Sequence, residues 1–166
     1  VGSEMCIRDR TYPDCVVLTP SYCAFKLFRD FSFGKALESE TECDTVRTKG
    51  MGTIPAYERM QLCEAAATLD EKTGALSVFA VNKHFDEPLN LKILLSGFEP
   101  AQAAEMRVLT SDSPFDRNTP QEPEKVRVVA DSIKSGKTGT AVTLPPHSAA
   151  CILFRRKSAA VKKKKK

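Results

Sequence analysis

The sequence has 166 residues, with 25 Lys and Arg against 21 Asp and Glu, and 42% of its residues are hydrophobic. A chain of this size and composition can bury roughly 68–70% of its unfolded surface around one core, which excludes disordered and collagenous proteins. The longest apolar runs, at 75–81 and 149–154, fall far short of the about 20 residues that cross a bilayer. We therefore expect no membrane partner.

The net charge of +4 comes from the C-terminal end of the chain. Residues 155–166 hold eight Lys and Arg and no acidic residue, so the rest of the chain carries −4. We interpret 155–166 as a disordered basic tail and expect no nucleic-acid partner, because phosphate-binding surfaces cluster their cations on a folded face. The five lysines at 162–166 are also what a translated run of adenines encodes. Nucleic-acid or membrane-surface binding through this tail remains an alternative, which deletion of 155–166 tests.

Residues 1–10, VGSEMCIRDR, resemble a translated sequencing-adaptor segment, and the chain does not begin with Met. We exclude this segment from fold reasoning as an artefact. We also expect the natural N-terminus to be missing, so the lack of a signal peptide carries no information about the compartment.

Residues 11–35 contain one predicted helix. Thr19 can cap the first free N–H groups, and Pro20 suits the first helical position. The aromatic and apolar side chains that follow at helical spacing are Tyr22, Phe25, Phe28 and Leu27 or Phe31. A face this apolar indicates a packing surface that needs a partner.

Residues 36–154 have the hydrophobic pattern of strands. A turn cluster at 70–74 predicts a hairpin, and Pro-rich segments at 114–123 and 145–146 separate later strands. Because no helical pattern intervenes, the sequence favours an all-β antiparallel sandwich over a βαβ fold. The predicted strands are Met60–Leu69, Ala75–Asn82, Leu89–Leu95, Ala104–Thr110, Val126–Val129, Thr138–Leu144 and Ala149–Phe154.

One segment resembles a nucleotide-binding motif. The residues Ser135-Gly136-Lys137-Thr138 are similar to the end of a phosphate loop, but Asp131 stands where that motif needs glycine, and a predicted strand follows instead of a helix. We interpret the segment as a hairpin turn.

Metal-binding patterns are weak. Asp112, Asp116 and Asn118 offer oxygen ligands but lack the spacing of a calcium loop, which favours turn-capping roles. The two histidines, His84 and His147, lie far apart in sequence. The cysteines at 6, 15, 23, 43, 63 and 151 are irregularly spaced, which favours buried small side chains over zinc ligands or a disulfide framework. We assign no metal-binding or cofactor-binding residue.

Catalytic patterns are equally weak. Ser148 follows His147, but neighbouring strand residues point to opposite faces, and no G-x-S-x-G motif is present. The densest group of carboxylates lies in a polar connection without an apolar neighbourhood to separate their pKa values, which predicts a solvated acidic loop. Its members are Glu38, Glu40, Glu42 and Asp44.

Four segments, taken in order and spacing, resemble one enzyme family. They are LTPSYCAFKLF at 18–28, GALSVFAVNK at 74–83, NTPQEPEKV at 118–126 and LPPHS at 144–148. Together they are similar to the C-terminal region of the α-L-arabinofuranosidases of glycoside hydrolase family 51, and the resemblance covers roughly 16–154.

The resemblance implies a jelly-roll sandwich at 36–154 that follows a (β/α)8 barrel, with the helix within 11–35 left from the close of that barrel. It implies hydrolysis of terminal α-L-arabinofuranosyl groups with retention, by two glutamates of the barrel. No position here matches either glutamate, so we assign no catalytic residue, and neither Glu58 nor Glu64 takes that role. The expected role of this fragment is structural, and the fragment is expected to be inactive alone.

The expected partners follow from the same resemblance. They are the missing barrel of the same enzyme and, through that enzyme, arabinose-containing polysaccharides. Without the barrel, Phe25 and Phe28 are expected to have lost their packing partner. The family sandwich also takes in chain from before the barrel, so this fragment should lack a strand and leave an edge open. Family members are cytoplasmic or secreted, so the compartment stays open, as does the oligomeric state.

A free carbohydrate-binding module is the alternative function. Such modules hold sugars on exposed aromatic rings, but the chain has no Trp, and Tyr57 is its single tyrosine after the predicted helix. Coplanar exposed aromatic rings on one sheet face would favour this alternative.

Overall fold

The computed structural model describes residues 9–50 and 52–157. The predictions for residues 1–8, which include Cys6, and for tail residues 158–166 lie outside the described residues. Within the described ranges the chain forms one helix, α1 (Pro20–Phe31), and twelve strands. The strands are β1 (Asp9–Thr11), β2 (Val16–Leu18), β3 (Lys35–Leu37), β4 (Thr45–Thr48), β5 (Tyr57–Gln61), β6 (Cys63–Leu69), β7 (Leu76–Asn82), β8 (Leu89–Leu94), β9 (Pro100–Thr110), β10 (Arg127–Lys134), β11 (Gly139–Leu144) and β12 (Ser148–Arg156).

The strands form one large sheet and three two-stranded sheets. The large sheet has the order β10-β9-β12-β7-β6-β3, and all its neighbours pair antiparallel. The small sheets are β8-β11, β4-β5 and β1-β2. The predicted all-β antiparallel sandwich, preceded by one short helix, is confirmed.

Side-chain alternation on the central strands creates two apolar layers. On β7 and β12, Val78 and Ile152 point toward the β8-β11 pair, where they pack with residues such as Ile93 and Leu144. Phe79 and Leu153, one position along each strand, point to the opposite face, where α1 lies. Because both faces are covered, these central strands read in sequence as continuous apolar runs.

Helix α1 packs on the second face of the large sheet. Its Leu27 and Phe31 are buried, and the ring of Phe28 stacks on the ring of Phe79 with centroids 5.0 Å apart. The expectation that Phe28 has lost its partner is therefore wrong, because the sheet of this same chain supplies one. Phe25, on the outer side of the helix, is 65% exposed.

The predicted start of α1 is also observed. The Tyr22 N–H donates to the Thr19 side-chain oxygen at 3.3 Å, and Pro20 opens the helix. After the helix, Gly34 adopts a positive φ of 66°, and a Cβ there would lie 2.2 Å from the Leu69 carbonyl oxygen. Only glycine fits this turn into β3 without moving backbone.

The bounds predicted for both terminal segments are wrong. Arg155 and Arg156 belong to β12, so the disordered basic tail does not begin at 155. Asp9 and Arg10 belong to β1 and pair with β2, so these two residues of the segment 1–10 are part of the fold.

The turn predicted at 135–138 is present and is closed by an antiparallel bridge between Gly136 and Gly139, but the strands on either side do not pair with each other, because β10 pairs with β9 and β11 pairs with β8. The turn instead carries the chain from the large sheet to the small one.

Candidate functional site

Two regions of the surface contain the candidate functional residues. The first, which we call the loop cluster, consists of residues 83–88, 111–126 and 145–147 at one end of the sandwich. The second, which we call the groove, lies between residues 37–44 with β6 on one side and residues 89–98 on the other.

Asn82 organises one half of the loop cluster. This buried residue ends β7, and its amide group donates to the carbonyl oxygens of Glu87 at 3.0 Å and Pro145 at 2.8 Å. Its side-chain oxygen accepts from the His84 N–H at 3.0 Å. One asparagine therefore satisfies backbone groups of two loops, which is a structural role.

Asn118 organises the other half. Its amide group donates to the carbonyl oxygens of Leu18 at 2.9 Å and Val126 at 3.0 Å, and its oxygen accepts from the Val126 N–H at 2.7 Å. These bonds tie the end of β2, just before α1, to the start of β10. The predicted role of Asn118 in capping a loop is confirmed by its bonds to Val126. Its bond to Leu18 was not predicted.

His147 and Ser148 do not form a catalytic pair. The Ser148 hydroxyl donates to the Pro145 carbonyl oxygen at 2.7 Å, and its side chain is buried. The ring of His147 lies between two carbonyl oxygens, with Nδ1 at 2.9 Å from Phe85 and Nε2 at 3.2 Å from Ser111. His147 therefore holds two loops together.

Phe85 and Phe115 form an exposed aromatic pair in the loop cluster. They are 54% and 78% exposed, and their ring centroids lie 5.6 Å apart at an interplanar angle of 64°. An edge-on pair does not provide the flat stacking platform that the carbohydrate-binding alternative requires. Tyr57 lies away from this pair, on β5 of a separate small sheet.

The oxygen-rich loop at 112–118 serves its own turn. The Asp116 carboxylate accepts from the Ser113 N–H at 2.9 Å, which is the predicted capping role. Among the described residues, no group of three or more His, Cys, Asp or Glu side chains is arranged to hold a metal ion. At 135–138, the Gly136 N–H donates to the Gly139 carbonyl oxygen at 2.8 Å, so this backbone donor is committed to the turn.

The carboxylates considered for catalysis are solvated or ion-paired. Glu58 accepts from Arg47 at 2.9 Å, and Glu64 pairs with Lys83. Both glutamates are exposed, as an ion pair on a strand surface ordinarily is. The acidic segment at 38–44 is an irregular connection whose carboxylates face solvent along the groove, as predicted.

The groove has a volume of about 1430 Å³. Its lining includes Ala65, Ala67 and Leu69 of β6, which are only partly buried against the core. Within residues 9–50 and 52–157, β8 pairs with β11 alone, so its other edge borders the groove without a strand partner. The missing strand that the resemblance predicts would have this edge of β8 available to it.

The helix content has no membrane-spanning character. Over the two described ranges, no helix has both the length and the apolar character that a bilayer crossing requires.

The Alpha-L-arabinofuranosidase C-terminal domain profile matches residues 6–148. This chain belongs to that family. The match begins inside the segment 1–10, which agrees with the pairing of β1. Comparison with curated proteins gave no match.

Solved structures agree with the family assignment. An α-L-arabinofuranosidase from Thermotoga maritima in complex with arabinose is 26% identical with a TM-score of 0.82, over 89% of this chain and 31% of that chain. The thermostable GH51 α-L-arabinofuranosidase from Thermotoga petrophila RKU-1 is 26% identical with a TM-score of 0.79, over 87% and 31% of the two chains. The GH51 arabinofuranosidase from Xanthomonas axonopodis pv. citri, at 21% identity and a TM-score of 0.73, covers 89% of this chain and 28% of its own, and shares the fold.

This chain corresponds to only part of each related enzyme. This chain spans about a third of the length of the Thermotoga enzymes, which is 31% of each. The resemblance to family 51 α-L-arabinofuranosidases is confirmed, and the chain corresponds to their C-terminal domain.

Proposed function

We propose that this chain is the C-terminal domain of a retaining α-L-arabinofuranosidase that removes terminal arabinofuranosyl groups from hemicellulose and pectin side chains. The observation that carries the proposal is the family match over residues 6–148. The arabinose-bound relative from Thermotoga maritima supports the substrate class, because its similarity to this chain extends over 89% of the present sequence.

The chemistry belongs to the catalytic barrel of the parent enzyme. A retaining mechanism needs two carboxyl groups roughly 5–5.5 Å apart, one as nucleophile and one as acid and base. Glu58 and Glu64 are exposed to solvent and each pairs with a cation, so neither lies in the water-excluded pocket that a catalytic carboxyl pair occupies. The role of the domain itself is therefore structural and not catalytic.

The outer side of α1 is the proposed contact with the barrel. Its inner side is already used by the large sheet, whereas Phe25 on the outer side is exposed. Val16 and Leu18 of β2, directly before the helix, are exposed as well. Since this part of the chain lies closest in sequence to the barrel, it is the natural surface for that contact.

A second contact is proposed at the groove. A strand of the same enzyme, supplied by chain from before the barrel, would pair with the free edge of β8. Such a strand would cover the partly buried Ala65, Ala67 and Leu69, which β8 and β11 leave incompletely covered. The isolated chain would then present an open edge, and open edges promote association.

The full-length transcript tests the first part of the proposal. We expect it to encode, upstream of this domain, a barrel with one glutamate at the end of each of two strands. A reading frame that starts close to residue 11 and encodes no barrel would contradict the proposal.

The helix contact is tested by one substitution in two contexts. In the full-length enzyme, Phe25→Glu should lower the thermal unfolding midpoint, because a charge would enter the contact with the barrel. In the isolated 166-residue chain the same change should have almost no effect, because Phe25 faces solvent. Equal effects in the two contexts would rule out this contact.

The open edge is tested by a proline at Lys92. The Leu95 N–H donates to the Thr138 carbonyl oxygen at 2.8 Å, and continuing this alternation turns the N–H of Lys92 toward the free edge. Sedimentation velocity of the isolated chain should show concentration-dependent association that Lys92→Pro reduces. Leu91→Pro is the matched control that breaks the pairing with β11 and lowers stability. A clean monomer with cooperative unfolding would contradict the open-edge proposal and leave the family assignment intact.

A further inference from the structure

Cys43 and Cys63 lie together at one end of the groove. The Cys43 thiol donates to the Cys63 carbonyl oxygen with an S to O distance of 3.4 Å. Both residues line the groove, and both thiols are free in this structure. The contact joins the end of the acidic segment 38–44 to the first residue of β6.

The backbone register explains why the two side chains meet. Thr45 pairs with Gln61 in the β4-β5 ladder, and the Leu62 N–H donates to the Asp44 carbonyl oxygen at 3.0 Å. Continuing this antiparallel register by one more residue sets Cys43 opposite Cys63.

That position is of the non-hydrogen-bonded kind. It follows a hydrogen-bonded pair in the ladder, and non-hydrogen-bonded partners have Cα atoms about 4.5 Å apart with side chains on the same face. Disulfides span Cα separations of about 4.4–6.8 Å. The contact of the Cys43 thiol with the Cys63 carbonyl oxygen, across the bend at Leu62, agrees with this register and places the two cysteines close enough for a disulfide.

The two thiols differ in accessibility. Cys43 is half-buried and opens to the groove, whereas Cys63 is 1% exposed. Burial raises the pKa of the Cys63 thiol, and the nearby Cys43 raises it further. Cys43 is therefore the thiol that a reagent from solvent meets first, and Cys63 reacts through Cys43.

We propose that Cys43 and Cys63 are a redox-active pair that closes to an intramolecular disulfide by exchange with a low-molecular-weight disulfide. The Cys43 thiolate attacks one sulfur of that disulfide, forms a mixed disulfide and releases one small thiol. The Cys63 thiolate then attacks the Cys43 sulfur, forms the Cys43–Cys63 bond and releases the second small thiol. Two protein thiols are oxidised and one small disulfide is reduced to two thiols, which carry away the two hydrogens.

The disulfide would fix the acidic segment along the groove. It would tie segment 38–44 to the large sheet and enclose the β4-β5 hairpin in a covalent loop between residues 43 and 63. Closing a loop of this length restricts the unfolded chain, so the oxidised form should unfold at a higher temperature.

The test is oxidation of the full 166-residue chain with oxidised glutathione, followed by alkylation, trypsin digestion and mass spectrometry. A background with Cys6→Ser and Cys15→Ser keeps intermolecular disulfides out of the result. Tryptic fragments 36–47 and 60–72 each contain one cysteine. We expect these two fragments to appear joined, with loss of two hydrogens and without bound glutathione.

Matched variants identify the pair. Cys43→Ser and Cys43→Ala should abolish the joined fragment, whereas Cys23→Ser, at another half-buried cysteine, should leave it unchanged. Circular dichroism before oxidation establishes that each variant is folded. Oxidation should raise the thermal midpoint of the parent background by roughly 5–10 °C and leave the two Cys43 variants unchanged.

Two results would overturn the proposal. One is a folded chain in which Cys43 stays in a mixed disulfide with glutathione while Cys63 remains a free thiol. The other is a joined fragment that forms only in urea, because the native register would then play no part.

Discussion

The ring of Phe28 stacks on the ring of Phe79 with centroids 5.0 Å apart, which anchors α1 to the large sheet. Around this pair, Leu27 and Phe31 of the helix pack with Cys151 and Leu153 of β12. The helix is therefore an integral layer of this domain, and its outer side, which carries Phe25, is exposed.

Phe79→Ala should lower the free energy of unfolding by about 3–5 kcal/mol, because it leaves a cavity between α1 and the sheet. Phe25→Ala should change it by less than about 0.5 kcal/mol, since Phe25 is exposed in the isolated chain. Urea unfolding followed by circular dichroism measures both. Similar losses in the two variants would mean that the helix does not pack as described.

Asn118→Ala should lower the free energy of unfolding by about 2–4 kcal/mol, because it leaves the Val126 N–H and two carbonyl oxygens without their partner. Asn90→Ala is the control: Asn90 is exposed and accepts from the Thr143 hydroxyl at 2.8 Å, a bond that water can replace. A loss of the same size at both positions, measured by urea unfolding, would argue against the buried network around Asn118.

The rate at which each cysteine thiol is alkylated should fall with its burial. Burial raises the pKa of Cys151 to about 12, whereas Cys15 is exposed. Iodoacetamide at pH 8 should therefore modify Cys15 within minutes and leave Cys151 unmodified until the chain unfolds. Mass spectrometry of tryptic fragments follows each site, and comparable rates at Cys15 and Cys151 in the folded chain would contradict the described core.

Asp70 should make stability depend on pH in the acidic range. Its carboxylate accepts from the Thr73 hydroxyl at 2.6 Å and the Lys72 N–H at 2.9 Å, which lowers its pKa below the ordinary 3.8. A carboxyl whose pKa is lower in the folded state stabilises that state above its unfolded pKa. This stabilisation is lost as the pH falls below about 4 toward the folded pKa.

The measurement is the urea midpoint from pH 7 to pH 3. Asp70→Asn should lower the midpoint at pH 7, and the gap to the wild type should narrow at pH 3. Asp86→Asn, at an exposed aspartate in a loop, is the control for a general charge effect. A gap of constant size across this range would exclude a role for the Asp70 charge.

The sequence predicted the central strands because their physical signal is local. The runs at 76–82 and 148–156 are apolar on both faces, and turn residues bound the first of them. The helix was predicted for the same kind of reason, since Thr19 and Pro20 mark its start. The predicted strand Met60–Leu69 exists as β5 and β6, with a bend at Leu62.

The first four strands escaped prediction for a physical reason as well. Each has three or four residues and is mostly exposed, which is too short a stretch for a strand to be recognised by alternation between core and solvent. These strands are defined by backbone hydrogen bonds to the strands beside them, and no pattern of side chains specifies that pairing. At 135–138 the sequence predicted the turn but not the destination of the chain, because a pattern of turn residues does not specify which sheet the next strand joins.

Contacts between residues far apart in the chain could not be predicted from the sequence. Nothing in the spacing of Cys43 and Cys63, or of Asn118 and Leu18, indicates that they meet, because strand pairing brings them together across 20 and 100 residues. The partner of Phe28 was missed because an aromatic helix face predicts burial and not the surface that supplies it. The groove likewise follows from the sheet order and not from any motif.

The claim that this domain is not catalytic by itself is tested most directly by an activity assay. The purified 166-residue chain is incubated with 4-nitrophenyl α-L-arabinofuranoside and with arabinoxylan. Thermal unfolding of the same sample establishes that the chain is folded. We predict a cooperative unfolding transition and no release of arabinose above the uncatalysed rate. Release at an enzymatic rate by the folded chain, abolished by Glu58→Gln or Glu64→Gln, would contradict the assignment of catalysis to the rest of the enzyme.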